Sequence, residues 1–162
     1  MLRKLFATTN DPAVGLARIA LGLVMFPHAM QKLFGWFGGY GIEGTLGFLT
    51  GALHLPAALA WLVLAAEILG SLGLIVGFAG RGAALGIAAV MIGAVVTVHA
   101  PQGFFMDWAG RSTGEGYEYH ILATALAAVV MIKGSGAFSL DLVLSRRAEQ
   151  AEPAERTVAL AA

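Results

Sequence analysis

Four long apolar stretches dominate the pattern along the chain, at residues 13–34, 57–78, 83–99 and 118–133. A helix that crosses the hydrocarbon core of a bilayer needs about 20 residues, with a range of about 17–25. Lipid offers no partners for exposed backbone groups, so each stretch is predicted to be a helix rather than an open strand. The pattern therefore predicts an all-α fold, an integral membrane four-helix bundle, with the two shorter helices extending into the neighbouring loops.

Composition agrees with this prediction. Hydrophobic residues make up 58% and charged residues 12% of the 162 residues, and the mean hydropathy is +0.78. A soluble domain carries about 25% charged residues. The net charge of zero gives no reason to expect nucleic acid as a partner, and the absence of cysteine excludes disulfides and thiolate metal ligands within this chain.

Basic residues set the predicted orientation, because Lys and Arg are enriched in cytoplasmic segments. They flank the first and last stretches and the short connection at residues 80–82: Arg3, Lys4, Arg81, Lys133, Arg146, Arg147 and Arg156. Both termini are therefore predicted to be cytoplasmic, and the loops at 35–56 and 100–117 face outward. We expect a single four-span domain at 1–144 in the cell (inner or plasma) membrane and a disordered cytoplasmic tail at 145–162.

Charged side chains inside the spans are costly, so each is a functional candidate. Arg18 lies about 7 Å in from the inner end of the first span at 1.5 Å per residue, and Glu67 lies near the middle of the second. The difference in depth is within reach of an arginine side chain. The sequence thus predicts a buried Arg18–Glu67 ion pair, with a purely structural role as its alternative.

A second polar group is predicted near the outer ends of the helices. It comprises His28, Lys32, His99, Glu118 and His120, covered by an aromatic loop that includes Trp108. Histidine or lysine can hydrogen-bond a quinone carbonyl, aromatic rings can stack on its ring, and His or Glu can relay protons. These residues are therefore candidates for a quinone site and proton path.

Each of these residues also has an ordinary explanation. Aromatic residues anchor helices at the membrane interface, lysine can extend towards the headgroups, and histidines at helix ends can be solvated. Haem held by two histidines is disfavoured because no haem-attachment motif is present, and no metal site is expected.

Four segments together resemble one known family. They are the run from Arg18 to Gly35 (RIALGLVMFPHAMQKLFG), Glu67 followed by Gly70, His99 followed by Gly103-Phe104-Phe105, and the run from Gly134 to Asp141 (GSGAFSLD). In combination they resemble the DoxX family over residues 18–142. The chain departs from the pattern at His28-Ala29, where the family often has His-Gly.

The resemblance implies a four-helix membrane bundle linked to redox chemistry. The family includes small membrane subunits of thiosulfate:quinone oxidoreductases and members linked to thiol-redox assemblies with soluble partners. We therefore expect an integral membrane subunit of a redox complex, which binds quinone or passes electrons and protons to it on behalf of a partner subunit. The alternative is a non-enzymatic membrane anchor that recruits a soluble partner. Catalysis by the chain itself and homo-oligomerisation are left open, and a carrier is disfavoured by the small number of spans.

Overall fold

The computed structural model describes residues 6–110, 114–148 and 150, and all regular structure within them is helical. The helices are α1 (Pro12–Phe34), α2 (Gly41–Gly47), α3 (Ala57–Val76), α4 (Gly80–Ala94), α5 (Glu118–Lys133) and α6 (140–148). A π-helical turn at Phe48–Ala52 extends α2, and further helical turns at Val95–His99 and Ala100–Gln102 extend α4.

Helix α1 begins and ends at residues suited to those positions. The Asp11 side chain accepts hydrogen bonds from the backbone N–H groups of Ala13 (2.9 Å) and Val14 (3.4 Å). Pro12 occupies the first turn, where its missing N–H has no helical partner to lose. Gly35 ends the helix in the left-handed conformation, with φ 72°. These local signals explain why the predicted start at residue 13 is accurate to one residue.

Two predicted connections differ from the structure. The segment predicted as a loop at 35–56 contains α2 and its extension. The turn predicted at 80–82 lies earlier, where Gly77 and Ala79 have φ values of 70° and 49°, and residues 80–82 already belong to α4.

The four longer helices pack in the cyclic order α1, α3, α4, α5, each against its two neighbours. Their shared core is rich in small side chains, which allow helix backbones to approach closely. Its buried members include Leu21, Met25, Leu74, Ala84, Ile87, Met91, Ala123 and Ala127.

All four of these helices also expose large apolar side chains on their outer surfaces. Examples are Leu16 and Leu23 on α1, Leu69 on α3, Ile92 on α4 and Leu122 on α5. Within the described residues, three segments are long and apolar enough to cross a membrane: Pro12–Phe34, Ala57–Val76 and Gly80–Gln102. Helix α5 has 16 residues, or about 24 Å of helix. The chain is therefore a membrane protein, while the fourth crossing and the cytoplasmic orientation of the termini stay predictions.

The predicted ion pair between Arg18 and Glu67 is wrong. Arg18 is completely buried, and within the described residues its guanidinium donates to backbone carbonyl oxygens. The acceptors are Leu74, Ile75 (2.9 Å), Ser135 (2.7 Å), Ala137 (3.3 Å) and Phe138 (2.9 Å). Leu74 and Ile75 lie in the last turn of α3, where carbonyl groups lack helical partners and a cation is favoured.

The offset of α3 against α1 explains this error. A Cβ added at Gly22 would lie 2.9 Å from the backbone N of Ile75, and one added at Gly77 would lie 2.9 Å from Arg18 Cζ. Helix α3 therefore ends level with Arg18, well short of the start of α1. The prediction assumed that the ends of the helices are flush, which placed Glu67 too close to Arg18.

The segment after α5 packs against the end of α3, where Ser139 lies beside Gly77. Asp141, which is 1% exposed, accepts hydrogen bonds from the backbone N–H groups of Ala79 (2.8 Å) and Gly80 (2.9 Å) and from Ser135 Oγ (2.5 Å). It thus caps the start of α4 from a distant part of the chain.

Asp141 lies in α6, and residues 145–148 of this helix are helical rather than part of a disordered tail. The remainder of that predicted tail, at 149 and 151–162, falls outside the described residues, as do Arg3 and Lys4.

Candidate functional site

A cavity of about 820 Å³ lies among the helices, and its wall includes residues of α1, α2, α3, α4, α5 and the loop before α5. Most of its lining residues are apolar, and most of these apolar residues come from α3 and α4, including Leu59, Leu62, Val63, Leu85, Ala89 and Gly93. All of these except Val63 are exposed on the outer surface, so the cavity is open at the side between α3 and α4. Ionisable side chains from several helices line the rest. The cavity therefore suits an amphipathic ligand with a polar head and an apolar tail.

Lys32 and Glu67 form an ion pair in the cavity wall. Lys32 Nζ lies 2.5 Å from Glu67 Oε1, and the two side chains are 36% and 1% exposed. Glu67 Oε2 is buried and has no hydrogen-bond partner. Glu67 therefore belongs to this site, although the sequence predicted that it pairs with Arg18.

His99 and His120 are brought together from the end of α4 and the start of α5. Their ring centroids are 4.1 Å apart, with an angle of 43° between the planes. His99 Nδ1 lies 2.8 Å from the carbonyl oxygen of Glu115. His120 is 7% exposed, and its Nδ1 atom is buried without a partner.

Glu67 Oε2 and His120 Nδ1 are both buried polar atoms without a hydrogen-bond partner. Among the described residues, they are the buried side-chain nitrogen and oxygen atoms that lack a hydrogen-bond partner. Both residues line the cavity. A buried polar group without a partner costs about 1–3 kcal/mol. A polar ligand that hydrogen-bonds these two atoms would remove that cost, so this part of the wall is where such a ligand would be bound most favourably.

His28 and Tyr119 complete the ionisable wall. Their ring centroids are 6.0 Å apart, and both residues line the cavity. The Tyr119 hydroxyl donates to Met25 Sδ at 3.3 Å, which leaves the lone pairs of its oxygen as acceptors.

The other two predicted residues are placed elsewhere. Trp108 is 88% exposed, and Glu118 Oε1 accepts a hydrogen bond from the backbone N–H of Met106 at 3.0 Å. Neither residue lines the cavity. Glu118 therefore holds the loop between α4 and α5, whereas His28, Lys32, His99 and His120 do line the cavity.

Within the described residues, no group of three His, Cys, Asp or Glu side chains is arranged so as to hold a metal. Sequence reasoning missed Glu67 as a member of this site. Tyr119 directly precedes His120 and ends the aromatic loop that was predicted to cover the site, and it lines the cavity.

Comparisons with known proteins identify the family. The chain is 29% identical over 126 residues to a Bacillus subtilis (strain 168) protein described as "Putative oxidoreductase CatD", and the alignment covers 78% of this chain and 82% of that protein. No solved structure matches the chain significantly. The DoxX family model matches residues 13–100, more than half of the chain, which contain His28, Lys32, Glu67 and His99. The chain therefore belongs to the DoxX family.

Proposed function

We propose that this chain is an integral membrane subunit of a redox complex and that it binds a quinone in the cavity between its helices. The observation that carries the proposal is the joining of an apolar wall to a group of buried ionisable side chains, two of which keep unpartnered polar atoms. Family membership and the oxidoreductase description of the Bacillus subtilis relative support a redox role.

The residues of the cavity have distinct tasks in this proposal. The Lys32 ammonium has three donors and uses one on Glu67, so it can also donate to a ligand oxygen. Glu67 and His99 can hold protons at the same end of the ligand. The apolar side chains of α3 and α4 hold the tail and exclude water.

A bound quinone would supply the capacity to take up or release two electrons with two protons. We expect a partner subunit to exchange those electrons with it, because the chain contains no cysteine that could ligate an iron–sulfur cluster. The chain itself would position the ligand and give its protons a route to the outer loop through His99.

Photoaffinity labelling tests the proposed site directly. The protein in lipid nanodiscs is labelled with a photoreactive azidoquinone, and the modified peptides are identified by mass spectrometry. We expect labels on the residues of α3 and α4 that line the cavity and suppression of labelling by excess unmodified quinone. Labels that scatter over the lipid-facing surface and resist competition would contradict the proposal.

A pair of matched variants removes the ambiguity of hydrophobic labelling. Ala89 is an exposed alanine of α4 in the cavity wall, and Ala125 is an exposed alanine of α5 outside it. Ala89→Trp should block labelling by filling the cavity, whereas Ala125→Trp should leave it unchanged. Equal labelling of both variants would show that the quinone binds elsewhere.

The alternative role as a non-enzymatic anchor makes a different prediction. Exposed aromatic residues on the loops, such as Trp36, Phe37 and Trp108, would then contact a soluble partner, although such residues also anchor proteins at the membrane interface. Purification in mild detergent with mass spectrometry of the associated proteins and lipids separates the two roles. A flavin, haem or iron–sulfur partner with retained quinone supports the redox subunit; a partner without a redox group, and no quinone, supports the anchor.

A further inference from the structure

The hydrogen bond of His99 determines what its ring can offer to a ligand. Its Nδ1 atom lies 2.8 Å from the carbonyl oxygen of Glu115. A carbonyl oxygen can only accept, so Nδ1 must carry the hydrogen. In the neutral ring Nε2 is then an acceptor. Neutral His99, which lines the cavity, therefore has its acceptor at Nε2, because the contact with Glu115 fixes the hydrogen at Nδ1.

Other ionisable residues of the wall also offer acceptors. Glu67 uses Oε1 for Lys32 and keeps Oε2 unpartnered, and a carboxylate has no hydrogen to donate. Tyr119 spends its hydroxyl hydrogen on Met25 Sδ, so its oxygen also presents lone pairs. Lys32 is the donor that balances them. His28 and His120 also line the cavity, but a neutral imidazole carries one N–H and one acceptor nitrogen, so these two rings do not change the balance. The acceptors of Glu67, His99 and Tyr119 therefore outnumber the two N–H groups that Lys32 has left after its bond to Glu67.

This balance discriminates between the two redox states of a quinone. The oxidised form carries two carbonyl oxygens, which only accept hydrogen bonds. The reduced form carries two hydroxyl groups, which donate to the acceptors and still accept from Lys32. Burying the oxidised head group here would leave Glu67 Oε2 without a partner, with the penalty that attaches to an unsatisfied buried group.

We propose that the cavity binds the reduced, dihydroxy form of its aromatic ligand (a hydroquinone) in preference to the oxidised quinone. Glu67 and His99 accept from its hydroxyl groups, and Lys32 donates to one of its oxygens. The inference rests on the proposed function, because it concerns the same cavity and the same ligand class.

The test compares the two redox states of one ligand. Ubiquinone-1 and ubiquinol-1, as oxidised and reduced probes with equally short tails, are titrated anaerobically into the purified full chain in nanodiscs, with empty nanodiscs as the blank for partitioning. Isothermal titration calorimetry gives the two dissociation constants. We expect ubiquinol-1 to bind about tenfold tighter or more, as one additional hydrogen bond to a charged acceptor implies.

The variants assign the preference to particular atoms. Glu67→Gln replaces an acceptor with a side chain that can also donate, and His99→Phe removes Nε2 while keeping a ring beside His120. Each should lower the ratio of the two affinities towards one. As a control, His54→Asn changes an exposed histidine outside the cavity wall and should keep the wild-type ratio; asparagine tolerates the positive φ of 54° at that position.

The possible outcomes separate this inference from the proposed function. Equal affinities, or tighter binding of ubiquinone-1, would overturn the preference for the reduced form and leave quinone binding intact. Absence of saturable binding for both probes would overturn the proposed function and the inference with it. The wild-type comparison decides the matter even where a variant fails to fold.

Discussion

Replacing Lys32 with methionine should destabilise the protein much more than its position near the end of α1 suggests. Lys32 Nζ lies 2.5 Å from Glu67 Oε1, and the Glu67 side chain is 1% exposed. Methionine fills a similar volume but leaves the buried carboxylate without its counter-ion. Removing one partner of a buried pair costs about 3–5 kcal/mol, and we expect a loss of that size in the free energy of unfolding.

Removing the charge of Glu67 instead should lower the free energy of unfolding much less, because Lys32 is more exposed than Glu67. Glu67→Gln leaves the ammonium of Lys32 unpaired, but that side chain is 36% exposed and can extend towards the headgroups. We expect a loss of about 1 kcal/mol. The double variant Lys32→Met/Glu67→Gln carries no buried charge and should recover most of the stability lost in Lys32→Met, since neutral replacements of buried pairs are often tolerated.

The assay is unfolding in mixed micelles, with the free energy of unfolding of all variants measured by titration with sodium dodecyl sulfate. Lys133→Met is the matched control, because Lys133 is an exposed lysine at the end of α5, and its loss should stay within about 0.5 kcal/mol. The reasoning is refuted if Lys32→Met resembles Lys133→Met. It is refuted equally if the double variant is no more stable than Lys32→Met.

Three further substitutions test the end of the bundle where α1 begins and α3 ends, each by the same unfolding titration. Arg18→Lys keeps the charge but cannot fork across several carbonyl oxygens, so we expect a loss of about 2–4 kcal/mol; wild-type stability would contradict its role at the end of α3. Asp141→Ala removes the cap of α4 and should cost about 1–2 kcal/mol, with faster hydrogen exchange at the Gly80 amide as the local readout. Gly22→Val places a side chain where an added Cβ would lie 2.9 Å from both the backbone N and the Cγ1 of Ile75 and should cost about 1–3 kcal/mol, whereas a neutral result would show that α1 and α3 are not in close contact.

The helices were predictable from the sequence because their signals are local. Hydrophobic length predicted the segments that became α1, α3, α4 and α5 to within a few residues. Asp11, Pro12 and Gly35 mark the two ends of α1 by their own chemistry. Helix α2 was missed because its sequence at 41–47 contains three glycines, which are poor helix formers, and its contacts with α1 and α3 are not visible in the sequence.

Partners of the buried charges were harder to predict, for a physical reason. Arg18 binds backbone carbonyl groups, and a carbonyl group has no sequence signature because every residue carries one. Charge alone therefore pointed to Glu67. Arg18 and Lys32 are both basic residues of the first span, so the choice between them as the partner of Glu67 depended on the offset of α3 along α1, which the sequence does not specify.

The two polar regions of the bundle differ in how completely their groups are satisfied. At the end of the bundle where α1 begins, Arg18 has five carbonyl acceptors, and the Asp141 carboxylate accepts from two backbone N–H groups and one hydroxyl. Groups so fully paired hold helix ends together, and nothing in their contacts calls for a ligand. In the cavity, Glu67 and His120 are also buried, at 1% and 7% exposed, but each keeps an atom without a partner. Since buried polar groups in folded proteins are almost always satisfied, that difference is the physical reason why we propose a ligand for the cavity and only an architectural role for the Arg18–Asp141 cluster.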